Sequence, residues 1–135
     1  MYAKKGLTLA DAKAIAAAAE AEAQKNGWTV SIAIVDDGGN LLYLQRLDDA
    51  PVGSVAVSQE KAHTAFLFKR PTKAIEDTIA GGRLAMLALS GATPIQGGLP
   101  LLYEGRVIGA IGVSGVQSSQ DEQIAQAGVQ VAAEL

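Results

Sequence analysis

The chain has 135 residues, 49% of them apolar, and a formal net charge of −3; that length supports one domain with a core of its own. The absence of cysteine excludes disulfides, zinc–thiolate centres and thiol catalysis, and the single histidine excludes a multi-histidine metal site within one chain. A weakly acidic balance with scattered basic residues excludes a broad nucleic-acid footprint, and no apolar run is long enough to span a membrane, so the expectation is a soluble, cytoplasmic protein with neither nucleic acid nor membrane as partner.

Thr8, with Asp11 three residues on, opens the first helix in a variant of the capping box. Leu9–Asn26 is dominated by alanine, a strong helix former. Leu9, Ala12, Ile15, Ala16, Ala19 and Ala23 follow helical spacing and form a nearly flat face that can lie close to a sheet, and Gly27 ends the helix. Trp28–Val35 reads as a strand with Trp28, Val30, Ile32 and Ile34 on one face. Asp36-Asp-Gly-Gly-Asn40 is a turn signal, and Leu41–Leu47 is the return strand, with Arg46 and Asp48 opposite Leu41, Tyr43 and Leu47. A polar loop, Asp48–Gly53, leads to Ser54 as cap of a second helix running to about Phe68. Pro71 breaks that helix, and Thr72 caps a shorter one through Ile79. After Gly81-Gly82, Arg83–Leu89 has the Ala, Leu and Met content of a helix, and Ser90–Gln96 reads as loop.

Gly97–Gly115, GGLPLLYEGRVIGAIGVSG, holds six of the fifteen glycines in an apolar hairpin turning at Glu104-Gly105. Glycine loses the most backbone freedom on folding, so this concentration requires something to approach the backbone closely: a helix, a partner subunit or a ligand. Alternation places Val107, Gly109, Ile111 and Val113 on one face and Ile108, Ala110, Gly112 and Ser114 on the other. Small residues thus thin both faces, which fits close helix packing or subunit contact at least as well as a ligand cradle. Gly109-x-x-Gly112-x-x-Gly115 before a helix lacks the G-x-G-x-x-G order, a parallel βαβ setting and a Gly-Lys-Ser/Thr, so nucleotide binding is not indicated. Asp121–Leu135 closes the chain as a helix with Ser118 or Ser119 as N-cap. The order α-β-β-α-α-β-β-α gives an α+β fold in one domain, residues 1–135: an antiparallel sheet of four or five strands with helices against one face.

These residues also carry a family resemblance. The pieces are Leu7-Thr-Leu-Ala-Asp-Ala-Lys13, Val30-Ser-Ile-Ala-Ile-Val-Asp36 with Gly38-Gly-Asn-Leu41, Arg46-Leu-Asp48, Gln59-Glu-Lys-Ala-His-Thr-Ala65, Arg70-Pro-Thr72, Gly97-Gly-Leu-Pro100, and Gly105–Gly115 followed by Asp121-Glu122. In this order, over nearly the whole chain, the sequence resembles the GlcG/HbpS family of small haem-binding or haem-associated proteins, which includes the C-terminal domain of some cobalamin adenosyltransferases. The resemblance implies a profilin-like or PAS-like fold, a central antiparallel sheet flanked by helices, in homo-oligomers. It also implies haem or a related tetrapyrrole as ligand, in a redox, uptake or glycolate/diol-metabolism setting.

The candidate site residues each have a functional and a structural use. His63 can ligate haem iron through a neutral imidazole or act as a general base. Phe66 at i+3 would flank a porphyrin, and Arg70 at i+7 would pair with a propionate; the plainer use of His63 is a hydrogen bond to backbone. Lys61 points elsewhere on the helix and either binds a carboxylate or forms an ion pair with Asp36, Asp48 or Asp121. Arg46 and Asp48 line a pocket mouth or tie down the loop that follows them. Asp36 and Asp121, each followed by another acid, are candidates for ligand binding or acid–base work; a turn and a helix first turn explain them as well. Three functions remain: a haem binder using His63, Phe66 and Arg70, a cofactor-independent enzyme on a small carboxylate or carbonyl compound using Lys61, Arg46, His63 and the aspartates, and a structural accessory subunit.

Overall fold

A computed structural model describes residues 1–135. The elements are α1 (Leu9–Lys25), β1 (Ser31–Val35), β2 (Leu41–Arg46), α2 (Ser54–Phe68), α3 (Thr72–Ala80), a 3₁₀ turn (Leu84–Ala88), β3 (Gly98–Tyr103), β4 (Arg106–Ser114) and α4 (Ser118–Ala133). The strands form one antiparallel sheet in the order β2-β1-β4-β3.

Helices cover both faces of this sheet, where the sequence pattern led us to expect one. Every residue of β1 is buried, because the apolar residues of Ser31-Ile-Ala-Ile-Val35 alternate between two cores. Ile32 and Ile34, with Leu99, Leu101, Ile111 and Val113, pack against the alanine face of α1 and against Ile124, Ala125 and Ala132 of α4. Ala33, Val35 and Ala110 pack on the other side against Ala62 and Ala65 of α2. Small side chains on both partners bring α2 down onto the sheet. Gly98 and Gly112 are paired across β3 and β4. A Cβ on Gly112 would overlap the Ser58 carbonyl oxygen and stand 2.5 Å from the Ala62 amide, and one on Gly98 would overlap the Lys61 carbonyl. The glycine-rich hairpin is therefore a seat for helix backbone.

A bulge in the β3–β4 ladder pairs Leu101 with Gly109 and Leu102 with Val107, leaving Ile108 as the extra residue. Ile108 consequently packs in the larger core, although simple alternation puts it with Ala110. The Glu104-Gly105 turn is present, with φ of 51° and 77° at the two residues, the left-handed pair a tight hairpin favours. The edge strand β3 is blunted chemically. Thr72 Oγ1 accepts from the Gly98 amide at 2.9 Å, and Pro100 has no N–H to offer.

The Thr8–Asp11 capping box of α1 forms reciprocally, whereas Leu9, assigned by spacing to the buried face, is exposed. The other three expected caps lie one residue or more inside their helices. Gly53, Pro71 and Gln117 occupy the N-cap positions. Ser54 is instead engaged with Ser31 and the Pro51 carbonyl, and Thr72 with Gly98. The 3₁₀ turn is unusual in burying none of its residues, with Leu84 65% and Leu87 62% exposed.

Candidate functional site

Helix α2 carries two sets of polar side chains in different directions. Lys61 turns inward and is 2% exposed. Its Nζ donates to the Val113 carbonyl at 2.9 Å and to Asp121 Oδ2 at 3.1 Å, and Asp121 Oδ1 accepts from the Val116 amide at 3.1 Å. Asp121 sits in the first turn of α4 and is equally buried. Burial pushes its carboxyl above the ordinary carboxylate range, with the Lys61 ammonium and the Val116 N–H pulling it back. Room for the ammonium comes from Gly97, where a Cβ would stand 2.7 Å from Nζ. This ion pair, one of the three the sequence offered for Lys61, joins α2, β4 and α4.

His63 and Phe66 face the β1–β2 turn. Asp36 shapes that turn by accepting the Gly38 and Asn40 amides on Oδ1 at 2.9 and 3.0 Å. The turn presents the Gly39 carbonyl to His63 Nδ1 at 3.1 Å. A carbonyl only accepts, so Nδ1 carries the proton and a neutral ring keeps its lone pair on Nε2. Gly39 has φ +79°, and a Cβ there would stand 3.0 Å from the Phe66 ring and 3.4 Å from His63 Nδ1. His63 and Phe66 thus meet at one glycine of the turn that the Asp36 carboxylate shapes.

Beyond Phe66 opens a cleft of about 570 Å³, walled by Tyr2, Lys4, Lys5, Lys69, Tyr103 and Arg106, with Asp37 and Glu104 also at its lining. Lys5 lies over the Tyr103 ring, 4.8 Å from its centroid, and Arg106 over Tyr2 at 5.2 Å. Of the three residues expected at a haem site, Phe66 lines the cleft, whereas neither His63 nor Arg70 does. Helix α2 ends at Phe68, Lys69 takes a left-handed conformation with φ 52°, and the Arg70 Nε donates to the Phe68 carbonyl at 3.3 Å. The i+7 spacing from His63 therefore does not continue to Arg70, and Lys69 supplies the cation at this end of the helix. Arg46 and Asp48 are exposed elsewhere, on a separate depression of about 490 Å³ shared with Trp28, Glu20 and Gln24.

Sequence reasoning missed Tyr2, Lys4, Lys5, Lys69, Tyr103 and Arg106. The signal available was local only: an aromatic beside cations in Tyr2-Ala-Lys-Lys5 and again in Tyr103-Glu-Gly-Arg106.

Comparison with known proteins gives one consistent picture. The family model described as haem degrading protein HbpS-like matches residues 7–130. Protein GlcG of Escherichia coli is 50% identical over 103 residues, 76% of this chain and 77% of that protein. Among solved structures, a double mutant of Streptomyces reticuli HbpS is 34% identical with a TM-score of 0.88, covering 97% of this chain and 90% of that one. The PduOC:Heme complex is 29% identical with a TM-score of 0.83, covering 93% and 94% of the two chains.

Proposed function

The chain belongs to the HbpS-like family, and from that premise we propose that it binds haem or a related tetrapyrrole at the Phe66 end of α2. The cleft carries the reading. Its volume of about 570 Å³ falls within the roughly 300–1,000 Å³ usual for small-molecule sites. Its lining pairs an apolar and aromatic surface, Phe66, Tyr103, Val107 and Ile108, with the cations Lys4, Lys5, Lys69 and Arg106. That combination fits a flat apolar ring system bearing carboxylates. His63 lies one helical turn before Phe66, outside the cleft's own lining, and is the iron ligand we propose: its Nδ1–H is committed to a backbone carbonyl, the arrangement that orients metal-ligating histidines and leaves the Nε2 lone pair for the iron. When bound, the iron supplies redox and ligand-exchange chemistry; the chain supplies the imidazole, the Phe66 wall and the charges.

The geometry favours a binder over an enzyme acting on a small carboxylate. That alternative drew on Lys61, Arg46, His63 and the aspartates around one pocket, but the Lys61 ammonium is buried and already engaged by Asp121 and the Val113 carbonyl, and Arg46 lies on a separate depression. The same proposal includes assembly into a homo-oligomer. Leu84 and Leu87 stand in solvent, and no charged residue occurs from Leu84 to Tyr103, the kind of apolar surface that marks a protein contact. A monomer in sedimentation velocity at micromolar concentration would refute that part.

Haemin titration followed by the Soret band tests the ligand. Wild type is expected to bind more tightly than an unrelated protein of similar size, and His63→Ala to shift the Soret maximum. Affinity no greater than the unrelated protein's overturns haem binding; an unchanged Soret spectrum in His63→Ala overturns His63 as iron ligand.

A further inference from the structure

One wall of the Phe66 cleft is the segment Tyr2–Lys5, which precedes α1 and belongs to no helix or strand. Its charged anchors are both weak. Lys4 Nζ lies 3.5 Å from Asp37 Oδ2, and Lys5 Nζ lies 3.7 Å from Glu104 Oε1, at the long end of ion-pair distances. Both lysine side chains are more than half exposed, so water screens each pair and each is readily exchanged. Around the cleft, four cations (Lys4, Lys5, Lys69 and Arg106) face two carboxylates (Asp37 and Glu104). The site is therefore short of two negative charges, and its two acids stand where an incoming anion would have to compete.

We infer that this cleft is a charge-exchange site for a flat apolar dianion, whose two carboxylates take Lys4 and Lys5 from Asp37 and Glu104. The inference rests on the tetrapyrrole reading above and adds which residues select the ligand. Asp37 and Glu104 hold the Tyr2–Lys5 segment in place through the two lysines. A dianion replaces both acids at once and leaves them to solvent. A neutral ligand of the same shape gains nothing from the lysines and leaves both pairs intact. Asp37 and Glu104 thus act against binding, and their removal strengthens it.

The test compares haemin with its dimethyl ester, which has the same ring and iron but no carboxylate charge, by Soret titration at low and high salt. The proteins are wild type, Asp37→Asn/Glu104→Gln and Lys4→Gln/Lys5→Gln, each checked for unchanged far-ultraviolet circular dichroism. An exposed pair corresponds to a factor of about 1.4–5 in an equilibrium constant. The acid-free variant is therefore expected to bind haemin roughly three- to tenfold more tightly than wild type, with the ester unaffected. The lysine-free variant is expected to lose a similar factor for haemin only, and its haemin affinity to depend less on salt. Trypsin cleavage after Lys4 and Lys5 is expected to slow when haemin, but not the ester, is added. If haemin binds but Asp37→Asn/Glu104→Gln leaves its affinity unchanged or lower, the charge exchange is wrong and the haem site stands. If the ester binds wild type as tightly as haemin, the charge exchange is again wrong. If neither compound binds any of the three proteins, the haem reading falls and this inference with it.

Discussion

Lys61→Met puts the buried ion pair to the test. Lys61 and Asp121 are each 2% exposed, and the variant leaves the Asp121 carboxylate with the Val116 amide as its one remaining partner. Breaking a buried pair from one side costs about 3–5 kcal/mol, a large part of the roughly 5–15 kcal/mol that holds a domain together. For a chain of this size that lowers the melting temperature by roughly 10–20 °C. The loss also depends on pH with a definite sign. Burial already raises the folded-state carboxyl of Asp121 above its ordinary value, and Lys61 pulls it down; removing Lys61 lets it rise further. A carboxyl raised on folding contributes stability that is fully present below its unfolded value of about 3.9 and is lost as pH rises through the folded value. The deficit of Lys61→Met is therefore small in acid and grows toward neutral pH. In Lys61→Met/Asp121→Asn the side-chain amide oxygen can still accept from Val116, and no charge is buried. That double variant is expected to recover to within about 1–2 kcal/mol of wild type at neutral pH. Urea unfolding followed by circular dichroism at about pH 5 and about pH 8 measures all of this. A loss below about 1 kcal/mol for Lys61→Met at the higher pH, the figure for an exposed pair, or a double variant no better than the single one, would refute the reasoning.

The glycine seat makes a sharper steric prediction. Gly112→Ala drives a Cβ into the Ser58 carbonyl and Ala62 amide, backbone atoms that have no rotamer to yield, so it is expected to cost at least about 3 kcal/mol or to abolish soluble expression. Gly105→Asn, at φ +77° with nothing within 4 Å of its Cβ position, is expected to stay within about 1 kcal/mol of wild type, because asparagine tolerates the left-handed turn; equal unfolding midpoints for the two variants would contradict the packing described. Thr72→Val removes the partner of the Gly98 amide and is expected to cost about 1–3 kcal/mol, with faster exchange of the Gly98 amide proton as the local readout. For His63 and for the cleft charges, the expected outcomes are the Soret shift and the haemin–ester contrast given above.

Much of the architecture was readable because it is encoded locally. The alanine face of α1, the shared facing of Trp28, Val30, Ile32 and Ile34 and the Glu104-Gly105 turn each lie within a few residues and took the expected form, although the strand starts at Ser31 and not at Trp28. The second helical layer was less visible because its signal is a run of small residues. Ala33 and Ala110 do not look like core until Ala62 and Ala65 are set against them. The hydroxyls of Ser54 and Thr72 look like helix caps from their own neighbours, yet tertiary partners, Ser31 and Gly98, claim them. Within the candidate site, His63 and Phe66 share a direction because they are one helical turn apart. Arg70 leaves that direction because Lys69 has already turned left-handed ahead of Pro71, which disfavours helix at residue 70. The cleft could not be read at all, since its walls come from the chain start, the β1–β2 turn, the end of α2 and the β3–β4 turn, and no local spacing relates them.

Where α2 meets Gly98 and Gly112, backbone rests on backbone, so the height of the helix above the sheet is set by peptide groups that every substitution leaves in place. Positions 63, 66 and 69 can then change identity without moving. The fold separates what it must keep at these two positions, hydrogen atoms in place of side chains, from what it is free to vary, the side chains that α2 turns toward the β1–β2 turn and the cleft. Such a division lets ligand preference drift by substitutions on the outward side of α2, while changes at Gly98 and Gly112 are felt by the whole helix.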